Sequence, residues 1–587
     1  MFNTTTKAVF RVTIIAAVCL VTLFLSLAVV QQVLVPVIVY IWPGLEVTFY
    51  DWALFGPYRS RHYVSFNLTS PHGSIVKWDD RCDHGNIFLD PSGPAPGHHG
   101  PMILDPRGGL IWTSDQFAVT TNLKVQKYRG RDYLTFWGGH KEKTMGYGSY
   151  YLLDDTYKVV HMVDAVGDGI HGDLHEFKIT QEGTALMTVY NKTQADLREM
   201  GWFRGEDGWI VDNFLQEVDI ATGELLFEWR ASDHFKAADS FMTNPFGGYT
   251  EGMPFDFYHL NSIEKDRDGN YLLSSRHFHT VLTIDGRTGE VLWQLGGRAT
   301  DLRDLSDGRA SDFSWQHHAR WLDQEAGLLT LFDNGCAWPH VDAPHSEGRL
   351  IHVDLENKTA ELKQSFVSLA KARSSSQGSI QYIDIGDGEQ HVFVGWGSSA
   401  AYSEHLPNGG VLCETHFAAA ASFWWERAKS YRAFKYPDWH AIPAEWDPIA
   451  VISSDALFVS WNGATEVALW ELQGAKLGDP QEQGGWQEVD IAEKDGFETM
   501  FSLPTDKSYS HFRVAALDAE RTVLRMSNVA TRSGAGKTSY VLAAVSAIMC
   551  VLVVVGYWQH RRKGWTTSDL RRYAQATIDR SKYTKLW

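Results

Sequence analysis

Short apolar strands alternate with polar turns over most of this chain, from about residue 84 to about residue 417. One half of each repeating unit is a short apolar strand that follows a turn. The other half is a hairpin in which two strands flank an acidic or glycine-containing turn. Asp, Asn and Gly favour such tight turns, and the flanking Val, Ile, Leu and Trp supply a buried face. The hairpins lie at 216–229 and 282–293, with weaker copies at 102–112, 151–160, 350–360 and 404–412.

Six copies of this unit predict a six-bladed β-propeller over residues 60–435, closed so that no sheet edge stays open. Five or seven blades, or a stack of unrelated hairpins, would fit the same pattern less well. We expect the short apolar strand of each unit to be the inner strand of a blade, with its ends near a central channel. These strands are 85–89, 133–137, 185–190, 271–275, 328–332 and 391–396.

The pattern changes between residues 440 and 530, where short strands alternate apolar and polar positions. This predicts a small Ig- or fibronectin-like β-sandwich after the propeller. The fold class expected for the central part of the chain is therefore all-β. The 23 Trp, 23 Tyr, 30 Phe and 51 Gly residues suit such a fold, which needs many strands and tight turns.

Two uncharged apolar runs predict one transmembrane helix at each end of the chain. The first, 12–40, is longer than a signal-peptide core and lacks a clear cleavage site, so it is predicted to be an uncleaved signal anchor. The second is 538–558, followed by a basic tail at 559–587. Positive residues stay cytosolic. Both termini, 1–11 and 559–587, are therefore expected in the cytosol, with the main domain lumenal or extracellular in the secretory pathway or at the cell surface.

Glycosylation signals and cysteines bear on the same compartment. Asn67, Asn191 and Asn357 each begin an Asn-X-Thr signal in the predicted outer domain. Cys82, Cys336 and Cys413 are the predicted lumenal cysteines, so at most one internal disulfide and one free thiol are expected there. The net charge of −18 argues against nucleic acid as the main partner, although a local basic pocket could still bind a small anion.

Four polar motifs lie where the apolar strands start or end. They are 171–176 (HGDLHE), 258–262 (YHLNS), 274–277 (SSRH) and 315–321 (WQHHARW). A ring of sheets would bring them to one centre, where imidazoles, an amide and a guanidinium would form a site for an anionic group. The alternative is that each His or Arg satisfies backbone groups at a strand end.

Residues 83–417 resemble the arylsulfotransferase family, in the branch of membrane-tethered fungal proteins. The resemblance rests on the order of four motifs: His175 in HEF, His259 and Asn261 in HLNS, Arg276 in SSR and His317 in WQH. It implies a propeller enzyme that moves a sulfuryl group from an aryl sulfate to a phenol through a covalent histidine intermediate. On this resemblance His317 would be the nucleophile, and the other four would support it.

The same site is expected to include three further histidines, His171, His277 and His318, as substrate-binding residues. Neighbours on a strand face opposite ways, so only one of His317 and His318 can be the nucleophile. No cofactor is expected, and the chain lacks the GxxxxGK[ST] loop of nucleotide-binding proteins.

Two other classes of function stay open at this point. One is a membrane receptor or scaffold whose propeller binds a ligand or protein, and the other is a pocket reused for hydrolysis or another group transfer. His277 and His279 could also bind a metal ion together with His259, but no carboxylate or Cys is positioned to fix a geometry, so no metal site is predicted.

Overall fold

The structure is a computed structural model that describes residues 4–201, 204–437, 439–476, 485–505 and 508–532. The chain enters as α-helix Thr4–Val29, a π-helical turn Val30–Leu34 and α-helix Val35–Ile41, then 3-10 helix Pro43–Leu45 and α-helix Glu46–Asp51. Ile15–Ile41 is the only stretch among the described residues long and apolar enough to cross a membrane. It overlaps the predicted signal anchor. The second predicted span, 538–558, and the tail, 559–587, lie outside the described residues.

Six antiparallel four-stranded sheets, which we call blades 1 to 6, form most of the rest. Counted from first to fourth strand, they are Ala433–Tyr436, Asn86–Leu89, Met102–Leu104 and Leu110–Thr113 in blade 1; Val119–Tyr128, Arg131–Glu142, Met145–Leu153 and Val159–Val163 in blade 2; Phe177–Ile179, Thr184–Ala195, Gly208–Asp219 and Leu225–Arg230 in blade 3; Leu260–Lys265, Tyr271–Ser275, Thr280–Ile284 and Val291–Gly296 in blade 4; His317–Asp323, Leu328–Asp333, Glu347–Asp354 and Thr359–Phe366 in blade 5; and Ser379–Gly386, Glu389–Gly395, Ala401–His405 and Val411–His416 in blade 6.

Shorter elements extend this framework. Ser60–Arg61 pairs with Ser70–Pro71, Ser74–Lys77 adds to blade 6, Phe255–Asp256 to blade 3 and Arg303–Asp304 to blade 5, and Cys336–Ala337 pairs with His340–Val341. Short 3-10 helices lie at Arg198–Met200, Ala231–Asp233, Ala237–Asp239 and Ala420–Trp425.

The six blades follow one another around a closed ring. The first strand of each blade contacts the first strand of the next, and the first strand of blade 6 contacts Ala433–Tyr436 of blade 1. Ala433–Tyr436 also pairs with Asn86–Leu89, so blade 1 joins the two ends of the ring. Because the ring closes on itself, the edges of the first strands face one another around the centre and are protected there.

Apolar side chains fill the spaces between neighbouring blades. Between blades 4 and 5, the buried cluster includes Leu272, Val281, Leu329 and Leu331. Such burial stabilises the ring by about 1.5–3 kcal/mol for each large side chain. The mostly β fold with many sheets, predicted from the alternating pattern, is therefore confirmed.

The predicted hairpins are present in the structure, but the strands predicted to be innermost are not the innermost ones. All six hairpins are present, as the third and fourth strands of the blades. The assignment of the apolar strands as innermost is wrong, since each is the second strand of its blade. In blade 5 the innermost strand is His317–Asp323, which includes His318 and Arg320. First strands line the centre with polar side chains, so an apolar pattern does not reveal them.

The ring has two faces, which differ in what they carry. The entry face is the one at which the first strand of every blade begins. The second strand ends there, the third begins there, and the fourth ends there before the chain continues to the next blade. Its connections include 231–259 between blades 3 and 4, 334–346 within blade 5 and 417–432 between blade 6 and the closing strand. The opposite face carries the tight turns between third and fourth strands.

Two further sheets follow the ring. One has the order Ile449–Ser453, Ala456–Ser460, Glu498–Ser502, and the other Gln487–Glu493, Leu469–Ala475, His511–Leu517, Val523–Met526; a last strand is Ala530–Thr531. Their inner faces share one apolar core that contains Trp461 and Trp470. The first sheet has three strands and the second has five, because Ala530–Thr531 pairs with His511–Leu517. The Ig- or fibronectin-like assignment of 440–530 stays a prediction.

The cysteines and glycosylation signals are placed as follows. Cys82 and Cys413 form a disulfide, and Cys336 is a buried free thiol. Asn67 and Asn357 are exposed, whereas Asn191 is half-buried within the second strand of blade 3. The exposed pair offers the more accessible positions for a glycan, and the disulfide suits an oxidising compartment.

Candidate active site

The starts of the first strands bring three histidines together at the entry face. His175 precedes the first strand of blade 3, His259 that of blade 4, and His317 begins that of blade 5. The ring centroids of His175 and His259 are 4.7 Å apart. Tyr431, before the closing strand, lies 5.6 Å from the ring of His175 and 6.3 Å from that of His317. All four side chains are buried.

Asn334 holds the ring of His317 in one orientation. The Asn334 amide group donates to the carbonyls of Ser374, at 2.8 Å, and Gln377, at 3.0 Å. Its Oδ1 therefore faces His317 Nδ1, 2.7 Å away, and accepts the proton that this nitrogen carries. Nε2 must then hold the lone pair, and it accepts a hydrogen bond from the backbone N–H of Gln377 at 3.1 Å.

The protonation state of His317 agrees with this tautomer. Burial lowers the pKa of His317 well below its ordinary value, and the nearby Arg276 guanidinium lowers it further. The imidazole is therefore neutral near pH 7. A neutral ring with a lone pair on Nε2 has the form that a nitrogen nucleophile requires.

The other two histidines are each paired with a carboxylate. His175 Nδ1 donates to Asp173, whose Oδ1 also accepts the backbone N–H of His175 at 3.0 Å. His259 Nδ1 donates to Asp256 Oδ2 at 2.6 Å. Burial holds the pKa of His259 well below its ordinary value, with His175 and Arg276 acting in the same direction. His259 is thus a neutral base whose Nε2 carries the lone pair.

Arg276 brings a buried positive charge to the same place. Its Nη1 donates to His277 Nε2 at 2.8 Å and its Nη2 to the carbonyl of Ser375 at 2.9 Å. Its Nε is buried and has no hydrogen-bond partner in the described part of the chain. His277 Nδ1 donates to the carbonyl of Asp256 at 2.7 Å, so His277 positions the guanidinium.

Asn261 and Tyr431 complete the polar lining. The Asn261 amide donates to the carbonyl of Gln316 at 2.7 Å, so it supports the residue just before His317. The hydroxyl of Tyr431 is buried and, among the described residues, without a partner. Burial raises the pKa of this hydroxyl, which therefore stays protonated and able to donate.

A cavity of about 380 Å³ opens beside the cluster. Arg276, His277 and Asp256 form its polar end. Its remaining walls are mostly apolar, with a few polar residues at the rim: Glu142, Lys143, Thr144, Met145, Val211, Met242, Asn244, Phe246, Met253 and Pro254. Thioethers and an aromatic ring suit an aryl group.

His171 and His318 lie outside the cluster. His171 is exposed and contacts the ring of Tyr147, with centroids 6.0 Å apart. His318 is buried on the other side of its strand, where its Nδ1 accepts the N–H of Ile380 at 3.3 Å. Neither is placed to touch a group bound at His317, so their expected substrate-binding role has no support in the geometry.

His318 borders a second, separate cluster of charges near the centre of the ring. The buried carboxylate of Glu176 accepts hydrogen bonds from Lys124 at 3.2 Å, Arg432 at 3.0 and 3.2 Å, and Arg320. Although burial favours the neutral acid, these cations hold the pKa of Glu176 well below its ordinary value. The cluster links blades 1, 2, 3 and 5 at the centre of the ring.

Asp256, His259 and His277 are the one group in the described ranges whose ligand atoms could hold a metal ion, all within 4.8 Å of one another. The carboxylate that sequence analysis could not place is thus Asp256. Both ring nitrogens of His277 are already hydrogen-bonded, one of them to a guanidinium. A metal ion bound here would have to displace that cation. His279, the third histidine of the metal alternative, instead stacks on Phe241 with ring centroids 4.3 Å apart.

The polar cluster and the ring lie within a matched protein family. The family model for arylsulfotransferase (ASST) matches residues 124–418, half of the chain. The chain belongs to the arylsulfotransferase family. The match contains His175, His259, Asn261, Arg276 and His317. The remainder of the ring, its closing strand and the sandwich lie outside it.

Similar solved structures share little sequence with this arylsulfotransferase-family chain. A protein of unknown function from Bacteroides caccae is 12% identical, with a TM-score of 0.34, over 61% of this chain and 100% of that one. A streptogramin B lyase is 9% identical, with a TM-score of 0.28, over 58% and 86%. A GH43 protein from Bacillus licheniformis is 8% identical, with a TM-score of 0.28, over 68% and 84%. Likeness this weak says nothing about activity. No curated protein matches the chain.

The groups that orient the cluster are not among the site residues expected from the sequence. Asp173 and Asp256 lie two and three residues before the histidines that they bind, which is a local signal in the motifs. Asn334 directly follows the second strand of blade 5, where an Asn is most simply a turn residue. Tyr431 carries no signal, because it lies beyond the motifs and reaches the site only through ring closure.

Proposed function

We propose that this chain is a six-bladed propeller enzyme that moves a sulfuryl group from an aryl sulfate ester to a phenol. His317 would be the covalent carrier. One observation carries the proposal: Asn334 leaves the lone pair of His317 on Nε2, in a neutral ring next to the Arg276 guanidinium.

In the first step, the lone pair of His317 Nε2 attacks sulfur. The N–S bond forms as the bond between sulfur and the aryl oxygen breaks, and the electron pair leaves on the phenolate. The ring then carries a positive charge beside the negative sulfuryl group, with its Nδ1 proton still donated to Asn334. This cationic ring is a good leaving group for the second step.

Preorganised donors support the transition state of both steps. The three sulfuryl oxygens carry negative charge, and donors fixed in a water-excluded site stabilise such charge strongly. Arg276 Nε and the Tyr431 hydroxyl are buried donors without partners in the described chain. The Gln377 N–H donates to the Nε2 lone pair at 3.1 Å, so attack on sulfur breaks this hydrogen bond, and the freed N–H is then available to a sulfuryl oxygen. Asn261 acts as a positioning residue through Gln316.

The proton of the acceptor passes to a neutral imidazole. The acceptor phenol gives its proton to His259 Nε2 as its oxygen attacks sulfur, and the N–S electron pair returns to His317. The lowered pKa of His259 keeps it unprotonated and ready for this role. His175, paired with Asp173 through Nδ1, gives a proton from Nε2 to the leaving phenolate, and the proton that His259 takes from the acceptor restores this one through solvent exchange. The apolar cavity beside Arg276 would hold the aryl ring.

The same proposal includes a membrane anchor. Residues 12–40 would cross the membrane as a signal anchor and 538–558 as a second span, with 1–11 and 559–587 in the cytosol. The Cys82–Cys413 disulfide and the exposed Asn67 and Asn357 support a lumenal or extracellular position of the ring.

The test is a covalent adduct on one histidine of an adjacent pair. Full-length protein is incubated with 4-nitrophenyl sulfate, and the intact mass and released 4-nitrophenol are measured for wild type, His317→Ala and His318→Ala. We expect a sulfuryl adduct and a phenol burst in wild type and His318→Ala, and neither in His317→Ala. Loss of the adduct and of the burst in His318→Ala alone would identify His318 as the nucleophile in place of His317. No adduct over a panel of aryl sulfates would favour a ligand-binding propeller.

A further inference from the structure

Exposed aromatic side chains are distributed unevenly over the described surface. Beyond the N-terminal segment 4–52, only five Phe, Tyr or Trp side chains are exposed in the described ranges. They are Phe246, Tyr249, Trp338, Trp424 and Trp425. All five lie in connections of the entry face. Three of them, Phe246, Trp338 and Trp425, have more than 70% of their surface exposed.

The opposite face gives a direct comparison. Its exposed apolar residues lie in or beside the turns between third and fourth strands, and Leu226, Leu292 and Leu355 are examples. All of the exposed apolar residues at these turns are aliphatic. Single exposed aliphatic residues are ordinary on protein surfaces, whereas Trp and Tyr gather where one side of a ring is apolar and the other wet.

The N-terminal helices contact the ring at the entry face. Asp51, at the end of helix Glu46–Asp51, accepts a hydrogen bond from His416 at 2.7 Å. His416 is the last residue of blade 6, where its fourth strand arrives at the entry face. The backbone N–H of Ala419 then donates to the carbonyl of Pro57 at 3.1 Å. Helix Glu46–Asp51 also contacts the 3-10 helix that contains Trp424 and Trp425.

Few residues separate the apolar span from this contact. The span ends at Ile41, and helix Glu46–Asp51 begins five residues later. Exposed Tyr40, Trp42 and Trp52 lie on either side of that short connection. Trp and Tyr concentrate at both membrane–water interfaces, so these positions mark the level of the lipid headgroups. The rim of the entry face at blade 6 is therefore held close to that level.

We propose that the entry face is a membrane-docking surface. The aromatic side chains of 246–249, 338 and 424–425 lie among the headgroups of the phospholipid bilayer that the N-terminal helix crosses. This inference rests on the proposed membrane anchor. The bilayer is the expected partner because helix Glu46–Asp51, which closely follows the aromatic end of the span, contacts the 3-10 helix that carries Trp424 and Trp425.

Docking would place the mouth of the active site at the bilayer. The cavity beside Arg276 is lined by Phe246 and Met253, which are both exposed on the same face. Substrate would then enter from the interface rather than from bulk water. The substrate class that fits is a phenol, or its sulfate ester, with an apolar body that partitions into the membrane.

The test places a photoreactive amino acid at matched positions. Full-length protein in phosphatidylcholine nanodiscs carries p-benzoylphenylalanine in place of Phe24, Trp338, Trp425, Leu292 or Leu355, one at a time. After irradiation, phospholipid adducts are measured by peptide mass spectrometry. We expect adduct yields at 338 and 425 at least about fivefold above those at 292 and 355. Thermal melting and gel filtration verify that each variant is folded.

The photoreactive residue at position 24, in the N-terminal helix, distinguishes the proposed membrane anchor from the proposed docking of the entry face. Adducts at 24 with yields at 338 and 425 no higher than at 355 would refute docking and leave the anchor intact. Absence of adducts at 24 would refute the anchor itself, and docking with it. Because 338 and 425 lie on different blades, failure of one variant to fold leaves the other to decide.

Discussion

Replacing Asn334 by Asp should change the pH at which His317 works as a nucleophile. The amide of Asn334 accepts from His317 Nδ1 at 2.7 Å in a buried site. Asn334→Asp keeps this oxygen in place but adds a negative charge. An imidazolium next to that charge is stabilised, so the pKa of His317 rises. Below the new pKa, Nε2 carries a proton and has no lone pair for attack.

The size of the change follows from the distance. At about 4 Å between charges and an effective dielectric constant of about 20, the attraction is about 4 kcal/mol. Partial protonation of the new carboxylate reduces this, and opposite charges at such distances typically shift a pKa by about 1–3 units. The acid limb of the burst rate should therefore move up by about 1–3 pH units. Below it the rate falls about tenfold per unit.

The same substitution should also cost stability. The carbonyls of Ser374 and Gln377 lose the donor that Asn334 supplies at 2.8 and 3.0 Å. Each buried group left unpaired costs about 1–3 kcal/mol. Denaturant titration of Asn334→Asp measures this loss separately from the loss of activity.

Stopped-flow release of 4-nitrophenol from 4-nitrophenyl sulfate gives the rate profile, measured from pH 9 down to a pH at which the wild-type rate falls. Asn462→Asp is the matched control, because its amide also donates to a buried backbone carbonyl but contacts no imidazole. We expect the wild-type profile for this control. A profile of Asn334→Asp that superimposes on wild type would refute the assignment of Nε2 as the attacking atom.

Three further changes test other parts of the structure. Arg276→Lys removes the buried Nε donor and should lower kcat/KM by about 10²–10³-fold, whereas exposed Arg298→Lys should leave kcat/KM unchanged. Equal kcat/KM values for the two variants would show that Arg276 does not act in the site. Burial lowers the pKa of Lys124 to about 7, so between that pH and about 10.4 the unfolded chain binds more protons and stability rises with pH. Lys124→Met should abolish this rise in urea titrations at pH 7 and 10, and an unchanged slope would contradict the lowered pKa of Lys124. Cys82→Ser should lower the free energy of unfolding by about 2–5 kcal/mol, clearly more than Cys336→Ser, unless the disulfide contributes nothing.

The outer hairpins could be read from the sequence because their signal is local. Residues 282–293 place Asp and Gly in the turn and Val, Ile, Leu and Trp beside it, so neighbouring positions alone specify the hairpin. The innermost strands have no such signal. His317–Asp323 faces the centre of the ring and other blades, and its polar side chains are satisfied by partners far away in the chain.

The candidate site shows the same division. His175, His259, Asn261, Arg276 and His317 stand out from the sequence because each lies at a strand end within a recognisable motif. The sequence does not show, however, that two adjacent residues of one motif have different roles. His317 and His318 are adjacent in sequence, yet only the packing of blade 5 against its neighbours places one beside Arg276 and the other beside Glu176.

By itself, the sequence determined the mostly β composition, the repeating hairpins, the apolar N-terminal span and the set of polar motifs. These are properties of consecutive residues, where alternation and turn chemistry act. Only the tertiary structure decided which nitrogen of His317 holds the lone pair, since that depends on Asn334 and on two carbonyls that orient it. It also decided that Tyr431 joins the site and that exposed aromatic rings share its face, because closure of the ring brings distant connections to one side.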